Sequence, residues 1–407
     1  IETTQSLLCS APDDYGNSYY FRGVPENNWV KFGGFYWRII RINGDDSIRM
    51  IYAGDASVID ALDEETKTQV MSNGYDDSTT LYTQIGSSRY NDYWKTDNKI
   101  ETLKREVYRD NAGIGYMYGN RDGIAVSQSI NGEATLSDTD IWFVSKKYIF
   151  SEDTLSFTLD EPLAVVGSEL KNYVNYYTLR SSLNDYSQEY AYIIKKVESD
   201  TNIITVNYGY VTYGTTSMKK AQTNINESTI KVYLDNWYKT NLLSYASYIN
   251  DTLFCNNRTL GGNTDSAYSQ LGYGTNLTKY KWFSSGNGIT LSCIQKNDRF
   301  TVDDEITGNG DLTYPIGLIT ADEAYLVGGS SNNNNYYLYT GYPYWTMSPI
   351  TYVETSSKIR AVSATGYPND YASTNNNVAV RPVINLKPNT LKSGDGTASN
   401  PYKIEAQ

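Results

Sequence analysis

Tyr344-Trp345-Thr346-Met347-Ser348-Pro349 and Val380-Arg381-Pro382-Val383-Ile384-Asn385-Leu386 enclose a stretch, 350–379, dominated by Asn, Tyr, Ser, Thr and Ala. Both borders alternate apolar and polar residues as half-buried strands do, and Pro349 and Pro382 limit the pairing each strand offers. The borders therefore read as framework and the middle as surface. Tyr supplies contact area at low entropic cost, and Asn and Ser supply adaptable hydrogen bonds, so the composition suits recognition. From it we single out Tyr352, Glu354, Tyr367, Asn369, Asp370, Tyr371, Asn375 and Asn377 as candidate ligand-binding residues. An ordinary polar loop region is the competing reading.

Bulk composition narrows the field. The 407 residues suffice for two or three domains, and the 40% hydrophobic content suffices to build cores. Forty tyrosines and seven tryptophans beside only ten prolines favour a β-rich α+β chain. A net charge of −12 argues against nucleic-acid binding, which needs a basic face. The chain has no histidine at all, which removes the commonest general base and the commonest metal ligand together. The three cysteines are too dispersed for a zinc site. We thus expect no metal, no cofactor and no catalysis; a carboxylate-dependent glycan hydrolase is the enzymatic alternative, because two acids suffice for that chemistry. No run approaches the roughly 18 to 20 apolar residues of a membrane span, and no signal peptide is present. The chain opens at Ile1 rather than Met, from which we expect a trimmed ectodomain whose N-terminal anchor lies outside the sequence.

Residues 19–54 read as a tight meander with a hairpin at Asn43-Gly44-Asp45-Asp46, where Asn-Gly tolerates the positive φ of a primed turn. Trp37, Ile39 and Arg41 alternate with Arg38, Ile40 and Ile42, so both faces are partly apolar and we expect cover on two sides. A helix is predicted over Ser228–Leu242, from Ile230, Tyr233, Leu234, Trp237 and Tyr238, and another over Tyr93–Val107. Thr320-Ala321-Asp322-Glu323 has capping-box spacing and should open a short helix that ends near Gly328-Gly329. Strand-like runs between Asp140 and Thr215, with a helix near Ser168–Tyr177, suggest an inserted α+β subdomain. The predicted organisation is 1–139, an insertion at 140–215, and 216–407.

Tyr20-Phe21-Arg22-Gly23, Asn28-Trp29-Val30-Lys31-Phe32, Gly115-Tyr116-Met117-Tyr118-Gly119, Phe254-Cys255-Asn256-Asn257-Arg258, Asn297-Asp298-Arg299-Phe300-Thr301-Val302 and Gly394-Asp395-Gly396-Thr397 occur in order with the segments above. Together they resemble a large family of uncharacterised surface proteins of gut Firmicutes, many with a prepilin-like N-terminal anchor. The resemblance covers 15–130 and 225–403. That family in turn resembles the formylglycine-generating-enzyme branch of the C-type-lectin fold, a fold also used by retroelement-diversified binding proteins. It implies a C-type-lectin-like mixed core carrying the insertion. The enzyme branch relies on a reactive cysteine pair that binds copper, and the contexts of Cys255 and Cys293 do not match it. The implied function is non-catalytic ligand binding or adhesion at the bacterial surface, with an extracellular protein or glycan as partner; a pilin-like filament subunit is the alternative.

Cys255 and Cys293 flank a stretch rich in Gly, Tyr and Ser, consistent with a disulfide-stapled loop in an oxidising compartment; two buried free thiols are the other reading. Cys9 is then left over. Asp303-Asp304-Glu305 and Asp395 are read as solvated turns rather than calcium ligands, Trp142, Trp237 and Trp345 as core anchors, and 330–337 as an exposed loop beside the recognition face.

Overall fold

A computed structural model of the chain describes residues 6–71, 83–91, 111–119, 123–135, 137–151, 156–180, 192–197, 203–214, 222–258, 289–353, 356–368 and 370–404. The chain is mixed α+β and rich in strands. Its principal sheet contains β1 (Leu7–Asp13), β2 (Gly16–Arg22), β3 (Trp29–Phe32), β4 (Phe35–Ile42), β5 (Ile48–Asp55), β23 (Val383–Leu386) and β24 (Tyr402–Lys403). β4 is central: it pairs antiparallel with β2, β3 and β5, while β23 lies against β5 and β24 runs parallel to β3. Residues from both ends of the sequence thus share one sheet.

The hairpin expected at Asn43–Asp46 is present, but its turn differs. Asp46 Nα donates to Asn43 O, Asn43 Nα donates to Ser47 O, and the positive φ falls on Asp46 (64°) rather than on Gly44. Gly44 is needed for another reason: a Cβ there would collide with the Gly16 backbone and the Asp13 carboxylate, because the β1–β2 turn packs against it. All but the last residue of β4 are buried. On one side Tyr36 joins Trp29, Ala53 and the short helices Ala56–Ile59 and Glu64–Val70. On the other, Trp37 enters the main core with Tyr52 and Phe35, and Trp237 of the helix Thr229–Asn241 packs edgewise on Trp37 and Tyr52 and at a tilt on Phe35. Ser228 caps that helix through Lys231 Nα, at the predicted start.

A six-stranded antiparallel sheet is built from residues 123–214, in the order β12 (Leu163–Val166), β9 (Ile141–Ser145), β13 (Tyr177–Arg180), β14 (Tyr192–Val197), β15 (Ile203–Gly214) and β8 (Gly123–Thr135). It takes β8 from residues ahead of position 140. Gly123 and Gly214 are cross-strand partners, and just outside them β7 (Met117–Tyr118) pairs with β16 (Asn226–Glu227). The helix expected at 168–177 is a single 3-10 segment, Gly167–Asn172; Asn175 turns left-handed (φ 68°) and Tyr177 leaves to pair with Ser145. Trp142 is buried as an anchor. The helix expected at 93–107 lies outside the described residues.

Two smaller ribbons, β10 (Tyr148–Ser151) with β11 (Ser156–Leu159) and β17 (Phe254–Cys255) with β18 (Arg299–Phe300), complete the minor pairings. The last sheet has the order β21 (Asp370–Ser373), β20 (Ser356–Val362), β19 (Tyr344–Val353), β22 (Val378–Ala379) and β6 (Ser87–Ser88).

Candidate functional site

The framework of the 350–379 region is where the apolar borders place it. Trp345, Val380, Val383 and Ile384 are each 0% exposed. Trp345 donates its indole N–H to Ser88 O (2.8 Å) and meets Tyr90 edge-on. The Arg381 guanidinium lies over the Tyr344 ring and bonds Tyr52 O and Leu338 O, which ties the strand after the variable-looking stretch into the core.

Outside that frame, β20 and β21 form a hairpin with β21 on the sheet edge, and the candidate residues distribute along it. At one end, Tyr352 lies near the end of β19, opposite Ser357 in the register, and the loop 374–377 folds alongside through Thr374 Nα to Ser357 O. Asn377 is exposed and Asn375 half-buried there. Asp370 is exposed on the edge strand opposite Ala361, and Tyr371 sits opposite Arg360. At the other end, Tyr367 is half-buried behind the turn Ser363–Gly366, which is closed by Gly366 Nα to Ser363 O and Ser363 Nα to Tyr367 O. A strand of four residues spans about 13 Å, so the candidates occupy two ends of one edge rather than a single spot. Glu354 and Asn369 lie outside the described residues.

The Asn-rich loop meets the Tyr367 end. Tyr336 donates its hydroxyl to Gly366 O (3.1 Å), and Gly366, at φ 81°, has no room for a Cβ against Asn333 O and Tyr336. Ser331, Asn332, Asn334 and Asn335 are exposed beside Ala364 and Thr365. The reading of 330–337 as an exposed loop holds for these four residues but not for Tyr336 and Tyr337, whose rings are buried in the core; Gly366 is the contact that brings the loop to this edge.

The densest electrostatics lie elsewhere, in a buried cluster at the start of the helix Ala321–Leu326. Thr320 and Glu323 form the capping box, as predicted from their spacing. Glu323 also pairs with Arg49 Nε (2.6 Å) and Arg41 Nε (3.0 Å), and Arg41 continues to Asp13 (2.7 Å). Burial pushes the Glu323 and Asp13 carboxyls up, but the guanidiniums and backbone N–H donors outweigh it and both end below the ordinary carboxylate range. The adjoining cavity measures about 20 Å³, room for one water. The cluster is therefore a fastening. The Arg258–Asp298 pair, wholly buried, has the opposite balance: desolvation raises the Asp298 carboxyl despite the guanidinium. Asp304 and Asp395 spend their carboxylates on loop N–H groups of Ile306, Thr307 and Thr397. Among the described residues no group of three acidic or cysteine side chains could hold a metal.

Cys255 and Cys293 are disulfide-bonded, and Cys9 is a free, half-buried thiol. No helix among the described residues is long and apolar enough to cross a membrane. Comparison of the chain with family models, with curated proteins and with solved structures finds no match.

Proposed function

We propose that the protein is a non-catalytic ligand-binding or adhesive protein of the bacterial cell surface, on a C-type-lectin-like core, which contacts an extracellular protein or glycan through the edge formed by 350–379. The observation that carries this reading is the division of labour along β19–β23. Every framework residue singled out is buried, whereas Asp370 and Asn377 are exposed, Tyr367 and Asn375 half-exposed, and a second exposed Asn-rich loop abuts the same edge. The closing of N- and C-terminal segments in one sheet supports the lectin-like reading of the core. The disulfide is compatible with an oxidising, extracellular setting. The non-catalytic reading draws on the chain's lack of histidine and on the spent state of the buried carboxylates, each held by a guanidinium or a helix cap.

The test is binding of the purified chain to arrayed mucin-type glycans and extracellular-matrix proteins, beside a variant carrying Tyr367→Ala, Asp370→Ala, Asn375→Ala and Asn377→Ala. Recognition at this edge predicts that the variant loses the signals of the parent while its melting temperature moves by no more than about 2 °C. Equal binding by the two proteins, or no binding by the parent, defeats the reading.

A further inference from the structure

A concave surface lies on the principal sheet, lined by none of the residues 350–379, and it has the size and lining of a small-molecule site. The register puts Leu8 opposite Phe21, Tyr19 opposite Ile42 and Ile42 opposite Ile48, so these five side chains form one apolar stripe across β1, β2, β4 and β5. Leu391 and Tyr402 of the C-terminal segment wall it, leaving a groove of about 440 Å³. That is the space of roughly 15 waters at about 30 Å³ each, within the range of ligand pockets. Leu8 remains 69% exposed and Tyr19 48% exposed, which leaves the stripe wetted along its length.

The charges at the groove choose among apolar ligands. Two cationic residues among the described ones line it, Arg41 and Lys392. The Arg41 guanidinium is committed to Asp13, Ser18 and Glu323. Lys392 is exposed at the rim, and no hydrogen bond or ion pair of its ammonium occurs among the described residues. Asn27 and Ser393 add neutral polar edges. Among the described residues no carboxylate lines the groove, so a negative head would meet one unengaged cation there; the chain's overall negative charge is screened beyond about 8 Å at physiological salt.

We propose that this groove binds an anionic amphiphile, a single aliphatic chain lying along the Leu8–Ile48 stripe with its acidic head at Lys392. This site is independent of the recognition edge. The probes are decanoate, below its micellar concentration, and decan-1-ol, titrated calorimetrically into the whole chain and into three variants. Saturable decanoate binding with a negative heat-capacity change is expected. Lys392→Glu should weaken decanoate about tenfold or more, the worth of a charge-assisted contact, and leave decan-1-ol within about twofold. Tyr19→Glu and Leu8→Glu should weaken both ligands; the exposure of these two side chains keeps the fold intact, which a circular-dichroism melt checks. Absence of saturable binding to the parent overturns the proposal. So does parental affinity in the Tyr19→Glu and Leu8→Glu variants, or a Lys392→Glu variant indifferent to the head group. A parental dimer that Leu8→Glu dissociates would mean that a second copy fills the groove, and would overturn it as well.

Discussion

Glu323 closes a helix cap and pairs with two buried guanidiniums at once. Its capping role follows from Thr320 three residues earlier, and the helix duly begins there. Its pairing with Arg41 and Arg49 joins residues 282 and 274 positions away, which no local pattern announces. Removing one partner of a buried ion pair leaves an uncompensated charge, so Glu323→Gln should cost about 3 to 5 kcal/mol in urea denaturation. The pH dependence has a definite sign. The folded-state carboxyls of Glu323 and Asp13 lie below their unfolded values, so their contribution is full above about pH 4.3 and is lost as the pH falls through the folded values. The parent should therefore lose stability steeply below that point, and the Glu323→Gln variant, already without one of these groups, less steeply. Unfolding free energies measured from pH 3 to 6 on both proteins check it; parallel curves would show that the cluster does not govern acid stability. The Asn43-Gly44 turn repeats the lesson, since the residue pair signals a hairpin correctly while the left-handed position goes to Asp46. Gly44 is pinned by its contact with Gly16, a tertiary fact.

Elements were legible where their signal is local and strong: the strands of the 19–54 meander, the helix Thr229–Asn241 with Ser228 at its cap, and the strand-like runs of the insertion. The short helices Ala56–Ile59 and Glu64–Val70 were not, because four and seven residues are too few to set an apolar period. Pairing order was hidden too; nothing in Tyr402–Lys403 or Val30–Lys31 says that they run parallel. The six-stranded sheet of residues 123–214, read from the sequence as an insertion, gives the clearest element-scale prediction. Gly123 and Gly214 face each other across an antiparallel ladder, where paired Cα atoms lie about 4.5 to 5.5 Å apart. Replacing the residues between them with a short Gly-Ser link should leave the remainder folded, with the near-ultraviolet circular dichroism of Trp37, Trp237 and Trp345 preserved. Loss of that signal would mean the core depends on the insertion. The disulfide supplies a second prediction at this scale. It closes a separation of 38 residues between β17 and the segment leading into β18, and in the chain-entropy picture reduction should cost about 4 kcal/mol. Equilibrium denaturation with and without reductant measures it; no difference would place the constraint elsewhere in the loop.

At the scale of the whole molecule, a sheet joining both chain ends and a peripheral edge sheet share one core through Trp345, Tyr344, Val380 and Val383. The candidate edge was legible as a composition bounded by strands. Its spread over two ends of β21, and Gly366 as the point where the neighbouring Asn-rich loop meets it, were not, because both depend on where distant turns land. This arrangement predicts that stability and surface chemistry separate. Trp345→Ala removes a fully buried indole, its hydrogen bond to Ser88 O and its contact with Tyr90, and should cost about 3 to 5 kcal/mol. The single exchanges Asp370→Ala and Asn377→Ala remove exposed side chains, and each should stay within about 0.5 kcal/mol. Chemical denaturation of the three variants against the parent decides the matter. If Asp370→Ala or Asn377→Ala destabilises the chain as much as Trp345→Ala does, the edge is framework, and a recognition surface has to be sought elsewhere on the molecule.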